Sequence, residues 1–253
     1  MTQTRPVKAL LIAHEDSSGG GFVSERLEQR GLEVHLHVVV PQIDRPDLPA
    51  PFPDRNNFDL VVVLGSAWAV YDTDTIGEWI DEEIELIRSA HEAAQPVLGI
   101  CFGGQALAAA LGGSVAKADT TELGWFEIES TGGRLPISAG PWLEWHHDRF
   151  TPPPGAEVLA RTDAAPQLFR VGNSVGTQFH PEINTPLVQE WLTFAPVEYL
   201  AEHGWTREQI AADVASHEDQ NRINCFQLVD WFLDDISGLT NVNTVTASAG
   251  QPT

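Results

Sequence analysis

The chain is short of cysteine, short of cations and without a long apolar run. Two cysteines, Cys101 and Cys225, among 253 residues cannot build a disulfide framework, so a reducing compartment is expected, where each stays a thiol. Lys and Arg number 14 against 36 Asp and Glu, a net charge of −22. That balance excludes non-specific binding to nucleic acid or to an anionic membrane. No apolar run approaches the roughly 20 residues that span a bilayer. The first apolar segment, Lys8–Ala13, is too short for a signal peptide and reads as a core strand, so a cytoplasmic protein is expected. No internal repeat is visible. What is present suffices for a real core: 42% of the residues are hydrophobic, and 253 residues correspond to one domain with an appendage.

The first part alternates strand and helix. Lys8–Ala13, Glu33–Val40, Leu60–Leu64 and Pro96–Ile100 read as strands. Phe22–Arg30 reads as a helix ended by Gly31, and Gly103–Leu111 as one ended by Gly112-Gly113. Thr75-Ile76-Gly77-Glu78 has the form of a capping box, with Ile76, Trp79, Ile80, Ile84 and Ile87 following at helical spacing. Apolar strands alternating with helices imply a mostly parallel central sheet with helices on both faces, a three-layer α/β fold whose sites lie at the carboxyl ends of strands. From Ser114 onward short strand-like pieces (Trp125–Glu129, Glu157–Ala160, Leu168–Val171, Ser174–Phe179) predict an antiparallel extension. Helical character returns after Pro186, with a second capping box at Thr206–Gln209 and a helix over Asn221–Ile236. The expected organisation is a domain over 1–190, a helical extension over 191–237 packed on it, and a flexible tail over 238–253.

The chemistry centres on Gly99-Ile100-Cys101-Phe102-Gly103-Gly104-Gln105. An apolar strand ends at a cysteine flanked by glycines, and a helix follows. This is the pattern of a nucleophile elbow, a sharp turn that presents its reactive atom at the strand end. The helix turns its free N–H groups and positive end toward the sulfur, where a nucleophile carries negative charge. Taken alone, such a cysteine is more often a small buried hydrophobe. Far downstream, Gln178-Phe179-His180-Pro181-Glu182 supplies what a thiol nucleophile needs. A base takes or holds its proton, and a carboxylate fixes the base's tautomer. Cys101, His180 and Glu182 form a complete candidate triad.

These two segments resemble the class I glutamine amidotransferases, and among them the stand-alone GMP-synthase-like domain proteins. Intermediate pieces agree: Gly65-Ser66-Ala67 stands where the family has a Gly-Gly-Pro turn, Glu122-Leu123-Gly124-Trp125 resembles its Glu-x-Gly-Trp segment, and Trp145–Phe150 its Trp-His-x-Asp-x-Phe segment. The resemblance spans about Lys8 to Glu182 and implies a flavodoxin-like fold. It implies that Cys101 attacks the side-chain amide of glutamine or a related γ-glutamyl compound, that a γ-glutamyl thioester forms, and that water activated by His180 hydrolyses it. It implies an oxyanion hole from the backbone N–H groups of Ser66 and Phe102, and substrate contacts from Gly65, Gln105, His146 and His147. Two departures stand out. The turn at Gly65 lacks the family's proline, and His147 occupies a position that is usually small.

The remaining residues have plainer readings. His146, His147 and Asp148 fit no closed zinc pattern, so no metal and no cofactor is expected. Cys225 reads as core packing, and Asp81-Glu82-Glu83 as a solvated helix face. No phosphate-binding glycine-rich loop follows Glu182, so any ammonia released is expected to pass to a separate synthase chain, or the protein is a simple γ-glutamyl hydrolase. A peptidase-like thiol hydrolase and a non-catalytic binding or regulatory module are the alternatives. The helices after Asn184 are expected to cover a sheet edge or to form a homodimer or partner surface.

Overall fold

The computed structural model describes residues 5–16 and 19–239. The elements, in chain order, are β1 (Lys8–Glu15), α1 (Gly21–Gln29), β2 (Glu33–Val40), β3 (Leu60–Val63), α2 (Thr73–Ile76), α3 (Ile80–Glu92), β4 (Val97–Ile100) and α4 (Phe102–Ala110). There follow β5 (Ser114–Phe126), β6 (Glu129–Ser130), β7 (Trp142–Thr151), β8 (Glu157–Arg161), β9 (Pro166–Val171) and β10 (Ser174–Thr177). The chain closes with α5 (Thr185–Phe194), α6 (Val197–Glu202) and α7 (Arg207–Trp231), which runs on into a π-helical turn, Phe232–Ile236.

Eight strands form one sheet in the order β2-β1-β3-β4-β10-β9-β8-β6. The first five are parallel and the last three antiparallel, so Glu157–Ala160 and Leu168–Val171 of the predicted antiparallel extension lie on one edge, while Ser174–Thr177 instead joins the parallel set beside β4. β5 and β7 stand apart as a two-stranded antiparallel ribbon.

Side-chain alternation divides the core. From β1, Ala9, Leu11 and Ala13 face one layer, where Phe22, Val23 and Leu27 of α1 meet Cys225, Leu228 and Val229 of α7. Leu10 and Ile12 face the other, with Ile80 and Ile87 of α3 and Phe102, Ala106 and Leu107 of α4. Burial on both faces explains why these strands are continuous apolar runs. Arg26 of α1 and Arg30, which caps it, clamp Asp230 of α7, with Nη contacts of 2.6 Å each. α7 therefore covers a sheet face, with Cys225 fully buried in it.

One reading is corrected here. Thr75–Glu78 caps no helix: α2 ends at Ile76, Gly77 follows, and α3 starts after Trp79 without a side-chain cap. The Thr206 box does form, with reciprocal bonds to Gln209. The sequence also conceals β7, whose alternate residues Trp142, Glu144, His146, Asp148 and Phe150 are all buried. Its inward positions carry acids and a histidine, which inverts the expected hydropathy alternation. The tail reading falls mostly on residues 240–253, outside the described residues. Among the described residues, no helix is long and apolar enough to cross a membrane.

Candidate active site

β4 ends and α4 begins at Cys101, which has φ 50° and ψ −108°. L residues rarely occupy this region, and holding one there costs about 1–3 kcal/mol. The surroundings impose it. The Cys101 N–H donates to Thr177 O at 2.9 Å, and its carbonyl accepts from the Gln105 N–H at 2.9 Å. Gly103 lets α4 press onto β3, since a Cβ there would lie 2.1 Å from Val63 O. The thiol is buried, with 6% of the residue exposed.

β10 lies beside β4, and the chain leaving it carries His180 to the same carboxyl end of the sheet. His180 Nδ1 is 2.8 Å from Glu182 Oε1, and the Cys101 sulfur lies close enough to act on the ring. Both His180 and Glu182 are buried. Burial disfavours the charged ring, but the Glu182 carboxylate and the Cys101 sulfur outweigh it and hold the His180 pKa well above the ordinary value. The loop is tethered from both sides. The Phe22 N–H donates to Glu182 O at 2.9 Å, and Asn221 Nδ2 of α7 donates to Pro181 O at 3.2 Å and Ile183 O at 2.9 Å.

The turn after β3 faces this pair. A Cβ on Gly65 would lie 2.8 Å from His180 Cε1 and 3.8 Å from Cys101 Cβ, so only glycine fits. Among the described residues, no backbone hydrogen bond takes up the N–H of Ser66 or of Phe102. Behind the turn sits His14, fully buried, with Nδ1 2.9 Å from Gly65 O and Nε2 2.9 Å from Glu83 Oε1. Glu83 thus departs from the solvated face read for Asp81-Glu82-Glu83: it is 0% exposed, although Asp81 and Glu82 are exposed. A solvated reading fails there because the third acid is turned into the core, where His14 meets it.

The other predicted residues are near but differently engaged. Gln105 Nε2 donates to Asp148 O and Gln178 Oε1, each at 3.3 Å, and Gln178 Nε2 lies 3.6 Å from Cys101 Sγ. His147 is on the rim, with its side chain 48% exposed. His146 is buried, and both ring nitrogens are taken: Nδ1 lies 2.9 Å from Asp148 O, Nε2 3.0 Å from Glu122 Oε2. It walls the site without offering a nitrogen to it. Burial works against charge on His146, but Glu122 and Glu144 overcome it and raise the pKa to about 10. Glu144 is pushed up to about 7, first by burial, with the His146 cation opposing. Its Oε2 is 3.2 Å from His146 Nε2 but off the hydrogen-bonding direction, and neither oxygen has a donor. Glu122, Glu144 and His146 place ligand-type atoms within 4.8 Å of one another, so a cation could bind only by displacing the Nε2 proton.

All of this opens on a cavity of about 300 Å³ lined by Gly65, Ser66, Cys101, Phe102, Gln105, His146, His147 and His180. Its opposite wall is aromatic: Trp68, Trp145, Trp191, Phe194 and Tyr199. Trp191 packs edge-on to the His180 ring, with centroids 4.9 Å apart. These aromatics, His14 and Gln178 received no site role in the sequence reading, and Glu83 was read as solvated. Two had a signal, Gln178 inside the Gln178–Glu182 segment and Trp145 inside the Trp145–Phe150 segment.

A mostly parallel sheet that presents a buried cysteine at a strand-to-helix turn and a carboxylate-held imidazole at neighbouring strand ends defines an α/β protein with a cysteine-centred site. The "Glutamine amidotransferase class-I" family model matches residues 19–193, and the chain belongs to that family. It is 30% identical over 226 residues to the glutamine-hydrolysing GMP synthase of Corynebacterium efficiens, covering 85% of this chain and 40% of the synthase. The chain spans less than half the length of such synthases. It is 29% identical over 192 residues to the glutamine amidotransferase-like protein YfeJ of Salmonella typhimurium, covering 70% of this chain and 77% of YfeJ. The fold matches the crystal structure of a Thermotoga maritima glutamine amidotransferase with a TM-score of 0.77, at 22% identity, over 91% of this chain and all of that one.

Proposed function

We propose that the chain hydrolyses the side-chain amide of glutamine or of a related γ-glutamyl compound through a thioester on Cys101. The observation that carries this reading is the elbow cysteine at φ 50° beside a histidine whose Nδ1 is 2.8 Å from Glu182, the two meeting across Gly65. The Cys101 sulfur attacks the amide carbon, and the carbonyl oxygen takes up the electron pair. The free N–H groups of Ser66 and Phe102 receive that oxyanion; removing one such donor costs on the order of 10²-fold in rate. The C–N bond breaks as His180 passes its proton to the leaving nitrogen. Water then gives its proton to His180, adds to the thioester and releases the γ-carboxylate with the thiol. Glu182 holds the ring in the orientation that both steps need.

In the amidotransferase case, the ammonia passes to a synthase acting with this chain; in the hydrolase case, it leaves to solvent. One observation favours a γ-glutamyl amide larger than glutamine. The general acid protonates the leaving nitrogen, so the amine departs on the His180 side, and that side is walled by Trp191, Trp145 and Tyr199. Such a wall suits an apolar amine better than ammonia.

The test is turnover of L-glutamine and a series of γ-glutamyl amides, followed as glutamate, with mass spectrometry after treatment with a glutamine-like diazoketone. Glutamate release that Cys101→Ala abolishes, and an adduct on Cys101, are expected. Release that survives in Cys101→Ala would sink the reading. An inert wild type without adduct would leave the non-catalytic binding module in its place.

A further inference from the structure

The family's Gly-Gly-Pro turn is Gly65-Ser66-Ala67 in this chain. Without a proline at position 67, Ser66 loses the restriction that proline puts on the residue before it, and Gly65 on the amino side of the 65–66 peptide tolerates either orientation. Yet the peptide is held. We infer that His14, seated on Glu83, is a positioning residue that locks the Gly65–Ser66 peptide with its N–H facing the nucleophile. This rests on the proposed role of Ser66 as an oxyanion donor.

The lock follows from planarity and proton counting. In a trans peptide, the C=O and the N–H of one unit point in opposite directions. Gly65 O points to His14 Nδ1, 2.9 Å away on the buried side, so the Ser66 N–H points away from His14, toward the cavity that Ser66 lines. Gly65 O can only accept, and the Glu83 carboxylate, 2.9 and 3.1 Å from Nε2, accepts as well. Both ring nitrogens of His14 therefore donate, and the ring carries two protons. The ring is also boxed, with Phe102 at 4.5 Å and Trp79 at 5.5 Å between centroids. A flipped peptide would set the Ser66 N–H against a ring that has only donors, and would turn Gly65 O toward the place where negative charge develops. Both penalties fall on the unproductive state. Glu83 keeps the second proton on the ring, and so keeps His14 from becoming an acceptor for the flipped form.

The experiment compares His14→Phe, which keeps an aromatic ring but no donor, with His14→Asn, whose amide can donate from the Nδ1 position. Both are made with Glu83→Gln so that no buried charge is stranded, and each is checked for a cooperative thermal transition. The substrate is whichever γ-glutamyl amide wild type hydrolyses. In the Phe variant kcat is expected to fall on the order of 10²-fold, as for loss of one oxyanion donor, with KM within threefold. The Asn variant recovers at least tenfold of that loss. Alkylation of Cys101 by iodoacetamide, which forms no oxyanion, slows less than threefold in both. Equal losses in the two variants, a parallel fall in alkylation, or a loss of kcat under threefold would overturn the inference. If the Phe variant does not fold, a crystal structure of wild type with a γ-aldehyde bound to Cys101 decides. Ser66 N within about 3 Å of the hemithioacetal oxygen, with Gly65 O still on His14, supports the lock; Gly65 O turned into the site refutes it. A wild type that turns over no γ-glutamyl amide and forms no hemithioacetal defeats the proposed function itself, a different result from these.

Discussion

Gly65 and His180 are packed so closely that a single methyl group between them would sit 2.8 Å from His180 Cε1. The turn and the imidazole thus fix each other's position across the thiol. Gly65→Ala is expected to displace the ring or the turn by a few tenths of an ångström or more. A loss of roughly 100-fold in kcat/KM follows from such misplacement, while overpacking costs about 1–3 kcal/mol of stability. Steady-state kinetics beside chemical denaturation checks this; full activity in a folded variant would mean that the contact does not set the geometry.

Glu182 sets how far into alkaline pH His180 stays charged. Against burial, its carboxylate is the foremost influence raising the ring's pKa. On the proposed mechanism the leaving nitrogen takes its proton from His180, so activity is expected to fall as pH rises through that pKa. Glu182→Gln is expected to move the alkaline limb of kcat/KM to lower pH and to cut the plateau on the order of 10²–10⁴-fold. An unmoved limb would assign the titration to another group.

Glu144 makes stability depend on pH in the opposite way from a paired carboxylate. Its folded pKa is raised from 4.5 to about 7, so the fold favours the neutral acid. The penalty for ionising it is absent below the unfolded value, grows as pH rises, and is complete above the folded value. His146, at about 10, stays charged across that window. Wild type is therefore expected to lose up to about 3 kcal/mol through this group between pH 4.5 and 8. Glu144→Gln does not incur that penalty, so its stability relative to wild type should improve toward alkaline pH. Denaturation curves at pH 5 and pH 8 measure it; a pH-independent difference would contradict it.

Trp191 is the side chain best placed to choose the leaving amine. γ-Glutamyl phenethylamide and ethylamide have leaving groups of similar basicity, so their ratio isolates the contact. Trp191→Ala is expected to lower kcat/KM for the phenethylamide about tenfold more than for the ethylamide, the worth of a partly buried ring. A ratio that does not move would return the wall to a purely structural role.

The parallel half of the fold was legible in the sequence because β1, β3 and β4 are buried on both faces and read as unbroken apolar runs. Gly99, Cys101 and Gly103 announced the elbow because so few residue types fit it. The ribbon strand β7 was not legible, since Glu144, His146 and Asp148 occupy its inward positions and imitate a solvated segment. Glu83 escaped for the same reason: its partner His14 lies 69 positions away, and no local pattern tells a buried acid from an exposed one. The aromatic wall comes from Trp68, Trp145 and Trp191, whose spacing follows no single helix or strand.

Asn221 fastens the peptide groups on either side of Glu182 from a helix that begins at Arg207. During synthesis, Cys101, His180 and Glu182 all leave the ribosome before that asparagine does. A nascent or nicked chain ending ahead of it holds every reacting atom and lacks the fastening. The hold on the Glu182 loop thus arrives only with α7, a timing that the three residues alone would not impose.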